Sequence, residues 1–253
     1  LNLKDAIRFP LRQLGFDIIR YKAELPGEYP SEGLSLLESS SPDFSRLLNR
    51  QNIDLIFDVG ANTGVYAATL FKNGFKGSIV SFEPLSEAYN QLVDKSKAYR
   101  LWQVAERCAL GDSDSEVEIN VSANLESSSI LPMLKACEDS APDARYRASE
   151  KVAMRRLDAI AERYLDNVQA PFLKLDVQGF EDKVLAGAKE SLVRIKGIQI
   201  ELSLLPLYEG QKLWRQLIDE ILTLGFELHS LMPGFTDRQT GKLLQMDAIF
   251  FRV

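Results

Sequence analysis

A chain of 253 residues, 45% hydrophobic and 26% charged, fits one α/β domain of generous size or a domain with a short appendage, and needs neither disulfide nor metal to hold a core. The formal net charge of -6 argues against a nucleic-acid partner, because neutralising phosphates requires a basic face. No apolar run approaches the roughly 18 residues of a membrane span, His229 as the sole histidine excludes a multi-histidine metal site, and Cys108 and Cys137 stand outside any CxxC pattern, as expected of a cytoplasmic protein.

The chain begins at Leu1, so its native start and any targeting segment can lie upstream. Residues 1–22 read as an amphipathic basic segment interrupted by Pro10, with Leu3, Ile7, Leu11 and Leu14 on one face. With a second helix from Pro42 through Phe44, Leu47 and Leu48, this predicts an N-terminal helical arm over residues 1–50. The arm serves packing or a homodimer contact, with peripheral attachment to an anionic membrane surface as the alternative.

From residue 53 strands and helices alternate, which signals a parallel, doubly wound sheet and a single domain over 51–253. Strands are predicted at 54–59, 77–82, 102–110, 171–176, 197–203, 226–231 and 245–252, with helices through Tyr66 to Phe71 and over 85–97, 157–165, 180–193 and 212–224. The alternating stretch 116–122 predicts an extra hairpin strand. Residues 123–151 break the rhythm and read as a long lid or binding loop. The connection between the last two strands is too short for a crossover helix, so the last strand is antiparallel.

Ligands of open α/β sheets bind beyond the carboxyl ends of the strands. The first such edge is Asp58-Val59-Gly60-Ala61-Asn62-Thr63-Gly64, whose two glycines permit a sharp turn and close ligand approach. This is not the GxGxxG that cradles a pyrophosphate. A GxxxG preceded by an acid suits a cationic ligand without phosphate, and S-adenosylmethionine is one. Glu83 ends the second strand, placed to accept from both ribose hydroxyls, and Pro84 turns the chain away. Cys108, Ala109 and Leu110 mark the turn where an adenine would lie.

These stretches resemble the FkbM-type methyltransferase family over residues 50–253: DVGANTG at 58–64, SFEP at 81–84, CALGD at 108–112, LDAI at 157–160, FLKLDVQGFE at 172–181 and MDAIFF at 246–251. The resemblance implies a Rossmann-like class I methyltransferase fold, a seven-stranded, mostly parallel sheet with an antiparallel last strand. It implies methyl transfer from S-adenosylmethionine to hydroxyls of sugars or polyketides, with Asp58, Gly60, Asn62, Gly64 and Glu83 carrying the cofactor. Gln178 departs from the acidic residue that many members hold at its position. The stretches at 127–131, 201–210 and 233–251 look like a subgroup associated with glycan modification, which points to a sugar hydroxyl of a glycan or surface-polysaccharide precursor. O-methylation of a secondary metabolite and a non-catalytic adenosine-binding module are the alternatives.

Methyl transfer to oxygen needs a group that removes a proton. Asp176, the last residue of the 171–176 strand, is the first candidate base, with helix capping or a contact to the cofactor's amino group as its bland reading. Glu201 is an acid in an apolar strand whose burial would raise its pKa, with a partnership to Lys174 as the alternative. His229 has a suitable unperturbed pKa but reads equally as structural. Glu181 reads as a first-turn acid of its own helix. Ser128, Ser129, Arg155 and Gln178 are candidate acceptor contacts, Arg155 belonging to a basic cluster with Arg145, Arg147, Lys151 and Arg156 that would grip a phosphate or simply face solvent. No spacing demands a metal.

Overall fold

The computed structural model describes residues 42–237 and 239–252, and the amphipathic 1–22 segment lies outside them. A helix over Pro42–Arg50 (α1) leads into Leu55–Val59 (β1), and Val65–Lys72 (α2) connects β1 to Ser78–Phe82 (β2). Ser86–Ser96 (α3) then precedes Trp102–Val104 (β3). Later come Pro171–Leu175 (β7), Gly197–Ser203 (β8), Phe226–Pro233 (β9) and Gln245–Arg252 (β10), and these seven strands form one sheet in the order β3-β2-β1-β7-β8-β10-β9. The first five run parallel, and β10 is antiparallel to both β8 and β9, as the short final connection requires.

Both faces of this sheet are covered, which is why its central strands are apolar runs rather than alternating ones. In β1, Leu55, Phe57 and Val59 join one buried cluster with Leu173, Leu175, Ile198, Ile200 and Phe250, while Ile56 joins the other with Phe172, Ile249 and Phe251. The second cluster also holds Phe44 and Leu48, both fully buried. Burying two such side chains contributes roughly 3–6 kcal/mol. Helix α1, read from sequence as part of the arm, is therefore packed into the domain.

The region between β3 and β7 departs furthest from expectation. The single strand predicted over 102–110 is two: β3 ends where the Ala105 N–H donates to the Ser81 carbonyl at 3.0 Å, and Ala109–Leu110 (β4) leaves for a second sheet. That sheet has three strands in the order β4-β6-β5, with Ser115–Ser122 (β5) antiparallel to the ten-residue Tyr146–Arg155 (β6). The predicted loop over 123–151 thus holds half of a strand, a helix at Lys135–Ser140 (α4) and a 3-10 turn at Pro142–Ala144. The strand was hidden because its exposed positions carry Arg147, Ser149 and Lys151, and few apolar residues mark its covered face. Likewise, the helix predicted over 180–193 is two, Glu181–Ala186 (α5) and Lys189–Leu192 (α6). They part at Gly187, where a Cβ would stand 1.9 Å from the Gly111 carbonyl oxygen.

Candidate active site

A cavity of about 690 Å³ opens at the carboxyl ends of β1, β2, β7 and β8, beneath the 123–145 region. One end is built by the turn after β1. Gly60 has φ +75° and its Cα abuts the Asp176 carbonyl so closely that a Cβ would lie 1.8 Å from that oxygen, a position only glycine fits. Its N–H and that of Ala61 donate to the Phe82 carbonyl, tying the turn to β2. Just beyond β2, Glu83 is 4% exposed and lines the cavity. The Asn62 N–H donates to its Oε2 and the Leu85 N–H to its Oε1, both at 2.8 Å. Burial pushes this carboxyl up to about 7 despite the two N–H donors and nearby Lys174. Ala61, Asn62, Thr63, Pro84, Ala109 and Leu110 also line the cavity, and Asn62 Oδ1 is a buried oxygen with no hydrogen-bond partner.

Asp58 and Gly64 do not line it. Asp58 is fully buried, accepts from Ser81 Oγ at 2.9 Å and lies 3.3 Å from Lys174 Nζ, so it acts one layer behind the turn. Gly64 starts α2 at φ +77°, pressed against Leu92 and Trp102. Lys174 is the residue that sequence reading placed beside Glu201. It pairs instead with Asp58 and with Asp176 at 3.5 Å, and donates to the Gly60 carbonyl at 3.0 Å. Burial opposes its charge, but these carboxylates outweigh that and raise its pKa.

The other end of the cavity holds Asp176 and Glu201, which follow one another across the sheet just beyond the Leu175–Ile200 pair. The Gln178 side-chain nitrogen donates to Asp176 Oδ1 at 2.8 Å and to Glu201 Oε2 at 2.7 Å. Gln245 Nε2 donates to the same Glu201 oxygen at 2.6 Å. Burial, then the charges of Asp176, Asp247 and Glu181, push the Glu201 carboxyl well above the usual range. Glu181 stands in the first turn of its helix, as expected; it is also buried, and its Oε1 accepts from the Val177 and Gly179 N–H groups, fixing the turn that presents Gln178.

The remaining sequence candidates fare differently. His229 is exposed midway along the edge strand β9, edge-on to Phe251, and does not line the cavity. Arg155 is exposed at the end of β6 and also lies off the cavity wall, while its neighbours Arg147, Lys151 and Arg156 pair with Glu87, Glu116 and Asp114, a solvated face rather than a phosphate grip. Ser128 and Ser129 do line the cavity, but Ser128 Oγ serves Ser122 and Ser129 Oγ donates to the Gln178 carbonyl at 2.7 Å. Sequence reading missed Tyr208 and Gln245, which hold Gln178 and Glu201, because neither lies near them in the chain. Tyr208 is fully buried and its hydroxyl donates to Gln178 Oε1 at 2.8 Å.

A sheet in this strand order, with an acid after β2 facing a glycine turn after β1, defines a Rossmann-like methyltransferase. Residues 58–228 match the Methyltransferase FkbM domain, and the chain belongs to that family. It is accordingly an S-adenosylmethionine-dependent methyltransferase. A curated relative is the 2-O-methyltransferase NoeI of Sinorhizobium fredii, 28% identical over 209 residues that cover 76% of this chain and 83% of that protein. Among solved structures, a SAM-dependent methyltransferase from Aquifex aeolicus is 15% identical with a TM-score of 0.41, covering 84% of this chain and 89% of that one. Aeropyrum pernix fibrillarin with bound S-adenosyl-L-methionine is 8% identical with a TM-score of 0.45, covering 78% of this chain and 66% of that one.

Proposed function

We propose that this methyltransferase acts on oxygen, at a sugar hydroxyl of a glycan or surface-polysaccharide precursor, and that Asp176 takes the proton. The observation that carries this reading is the carboxylate pair Asp176 and Glu201, set in the same cavity as the Glu83 turn. The relative NoeI, by its name a 2-O-methyltransferase, supports oxygen as the acceptor atom. A sugar is favoured by Asn124, Ser127, Asp143, Asp237 and Gln239 among the residues that line the cavity.

The residues present fit the donor. Glu83 retains one lone pair on each oxygen for a ribose hydroxyl, and Asn62 Oδ1 beside it is a buried acceptor with no partner. Ala109 and Leu110 offer an apolar edge for the adenine. When bound, S-adenosylmethionine supplies an electrophilic methyl group on a sulfonium. The chain's own part is to hold the acceptor hydroxyl at the Asp176–Glu201 end and receive its proton on Asp176 as the new carbon–oxygen bond forms and the carbon–sulfur bond breaks. Asp176 suits this because its side chain is 38% exposed toward the opening, whereas Glu201 sits deeper and gathers protons more readily than a free carboxylate. A general base of this kind contributes about 10²–10⁴-fold. The buried, unpaired Cys108 and Cys137 suit a cytoplasmic site of action, where precursors and donor meet.

The test is calorimetry with S-adenosylmethionine, S-adenosylhomocysteine and NAD, followed by transfer of labelled methyl to a panel of nucleotide sugars, oligosaccharides and phenolic polyketides. Label recovered as a sugar methyl ether supports the reading. Label recovered only on the polyketides or on nitrogen overturns it.

A further inference from the structure

We infer that Gln178 is a positioning residue for methyl transfer, its side-chain amide bridging Asp176 and Glu201 and fixing the two carboxyl groups relative to one another. This rests on the reading of those two carboxylates as the acceptor end of the site.

Two carboxylates at the ends of neighbouring strands repel one another unless something positive stands between them. Lys174 reaches only Asp176, at 3.5 Å, and is shared with Asp58. Between the pair stands instead an amide nitrogen, 2.8 Å from Asp176 Oδ1 and 2.7 Å from Glu201 Oε2. Its two hydrogens are both committed, one to each carboxylate. The amide cannot be turned over, because its oxygen accepts from the hydroxyl of fully buried Tyr208 at 2.8 Å, and reversal would set an acceptor against both carboxylates.

The backbone at Gln178 is held as firmly. Gln178 adopts φ +53°, a conformation disfavoured for a residue with a side chain. The turn survives because Glu181 binds the N–H groups on either side and Ser129 Oγ donates to the Gln178 carbonyl at 2.7 Å. Strain concentrated at one residue, with hydrogen bonds from three separate chain segments, marks a side chain that must point one way. Only a lone pair on Oε1 remains uncommitted, so Gln178 acts through the carboxylates and not on the acceptor itself.

Glutamate at this position has the same length and cannot donate two hydrogen bonds. It would put a fifth carboxylate into a neighbourhood that already holds Asp176 and Lys174 on β7 and its end, Glu201 on β8, Asp247 on β10, Glu181 at the start of α5, and Tyr208 with Cys137 beyond them. Such a cluster needs a proton or a divalent cation.

The experiment is thermal unfolding of wild type, Gln178→Glu and the near-isosteric, non-donating Gln178→Met, across a pH series, with EDTA or with added Mn2+. Gln178→Glu should match wild type in acid, fall progressively below it as pH rises, and recover with Mn2+, to which wild type does not respond. A Gln178→Glu profile superimposed on that of wild type and indifferent to Mn2+ overturns the bridging role. With an acceptor in hand, Gln178→Met should lower kcat by about 100-fold while the KM for S-adenosylmethionine moves little, the signature of misplaced acceptor-end groups. Wild-type kcat in Gln178→Met overturns the positioning role. If Asp176→Asn keeps full turnover while Gln178→Glu still becomes pH- and Mn2+-dependent, the base assignment fails and the bridge stands.

Discussion

Glu83 offers a prediction that can be worked through from geometry. Its two oxygens each hold one backbone N–H at 2.8 Å and each keep one lone pair toward the cavity. Ionised, the group can accept from two hydroxyls; protonated, one oxygen becomes a donor and an acceptor is lost. Burial has raised its pKa to about 7, so the weak-binding, protonated form is populated on the acid side of that value. Affinity for S-adenosylhomocysteine, which lacks the sulfonium charge, should therefore be full above about pH 7. Below it, affinity should fall about tenfold per pH unit, or ~1.4 kcal/mol. Glu83→Gln removes the titration and sets its NH2 against one of the two backbone N–H groups. Hydrogen bonds to a charged group contribute roughly 1.5–3 kcal/mol each. Losing the one to the ligand weakens binding by roughly 10- to 100-fold, while the one lost within the turn costs stability in the free and bound forms alike. Calorimetry from about pH 5.5 to about pH 8.5 at constant ionic strength measures both effects. A flat wild-type profile, or a Glu83→Gln variant that keeps the wild-type slope, would refute the argument.

Four further outcomes follow from the same geometry. Asp176→Asn should lower turnover by about 10²–10⁴-fold and leave S-adenosylhomocysteine binding nearly unchanged; full activity removes Asp176 as the base. Lys174→Met leaves fully buried Asp58 without its cation and should cost about 3–5 kcal/mol in urea unfolding, an idea sunk by a wild-type midpoint and slope. His229→Ala, at an exposed edge-strand position off the cavity, should retain wild-type kcat, and a large loss would return that residue to the mechanism. Burial raises Glu83 and Glu181 to about 7 and Asp247 to about 6, so the folded chain holds more protons than the unfolded one between roughly pH 4 and 7. This part of the stability is fully present below the unfolded pKa and is lost as pH rises through that window, which a Tm series would show; a Tm that climbs through the window contradicts it.

The main sheet was legible because burial on both faces leaves its strands as apolar runs ending at glycine, acid or proline. LIFDVG, SIVSFEP and PFLKLD each announce both a strand and the functional edge beyond it. In the second sheet β5 was legible from the alternation at 116–122, but β6 was not, because it is half solvent-facing and pairs with β5 across an intervening segment, so no local pattern records the pairing. The candidate site divides in the same way. Glu83, at the end of a strand, could be picked out from its spacing, and Asn62, whose N–H it accepts from, only from the resemblance. Contacts across the fold could not: Ser128 Oγ bonds to Ser122 within its own region and Ser129 Oγ donates across to the Gln178 carbonyl, while Tyr208, 30 residues from Gln178, carries no local mark of its task.

Asp58 shows how an acid of the motif is tied to the turn after β1 through another residue. It lies in register with Lys174 on the neighbouring strand, and both side chains are buried in the same layer. The ammonium of Lys174 then meets three groups: Asp58, Asp176 and the Gly60 carbonyl. One buried charge thus ties the turn that would receive the donor to the carboxylate that would receive the proton. The contact of Gly60 with the Asp176 carbonyl holds the same two elements together from the backbone side. Methyl transfer depends on the separation of donor carbon and acceptor oxygen, and a 1 Å misplacement can cost about 100-fold in rate. A lysine that fixed only charge could be replaced by any buried cation. One that also hydrogen-bonds the turn sets a distance, so Lys174→Arg should fold and still turn over slowly, its longer fork displacing Gly60 from Asp176.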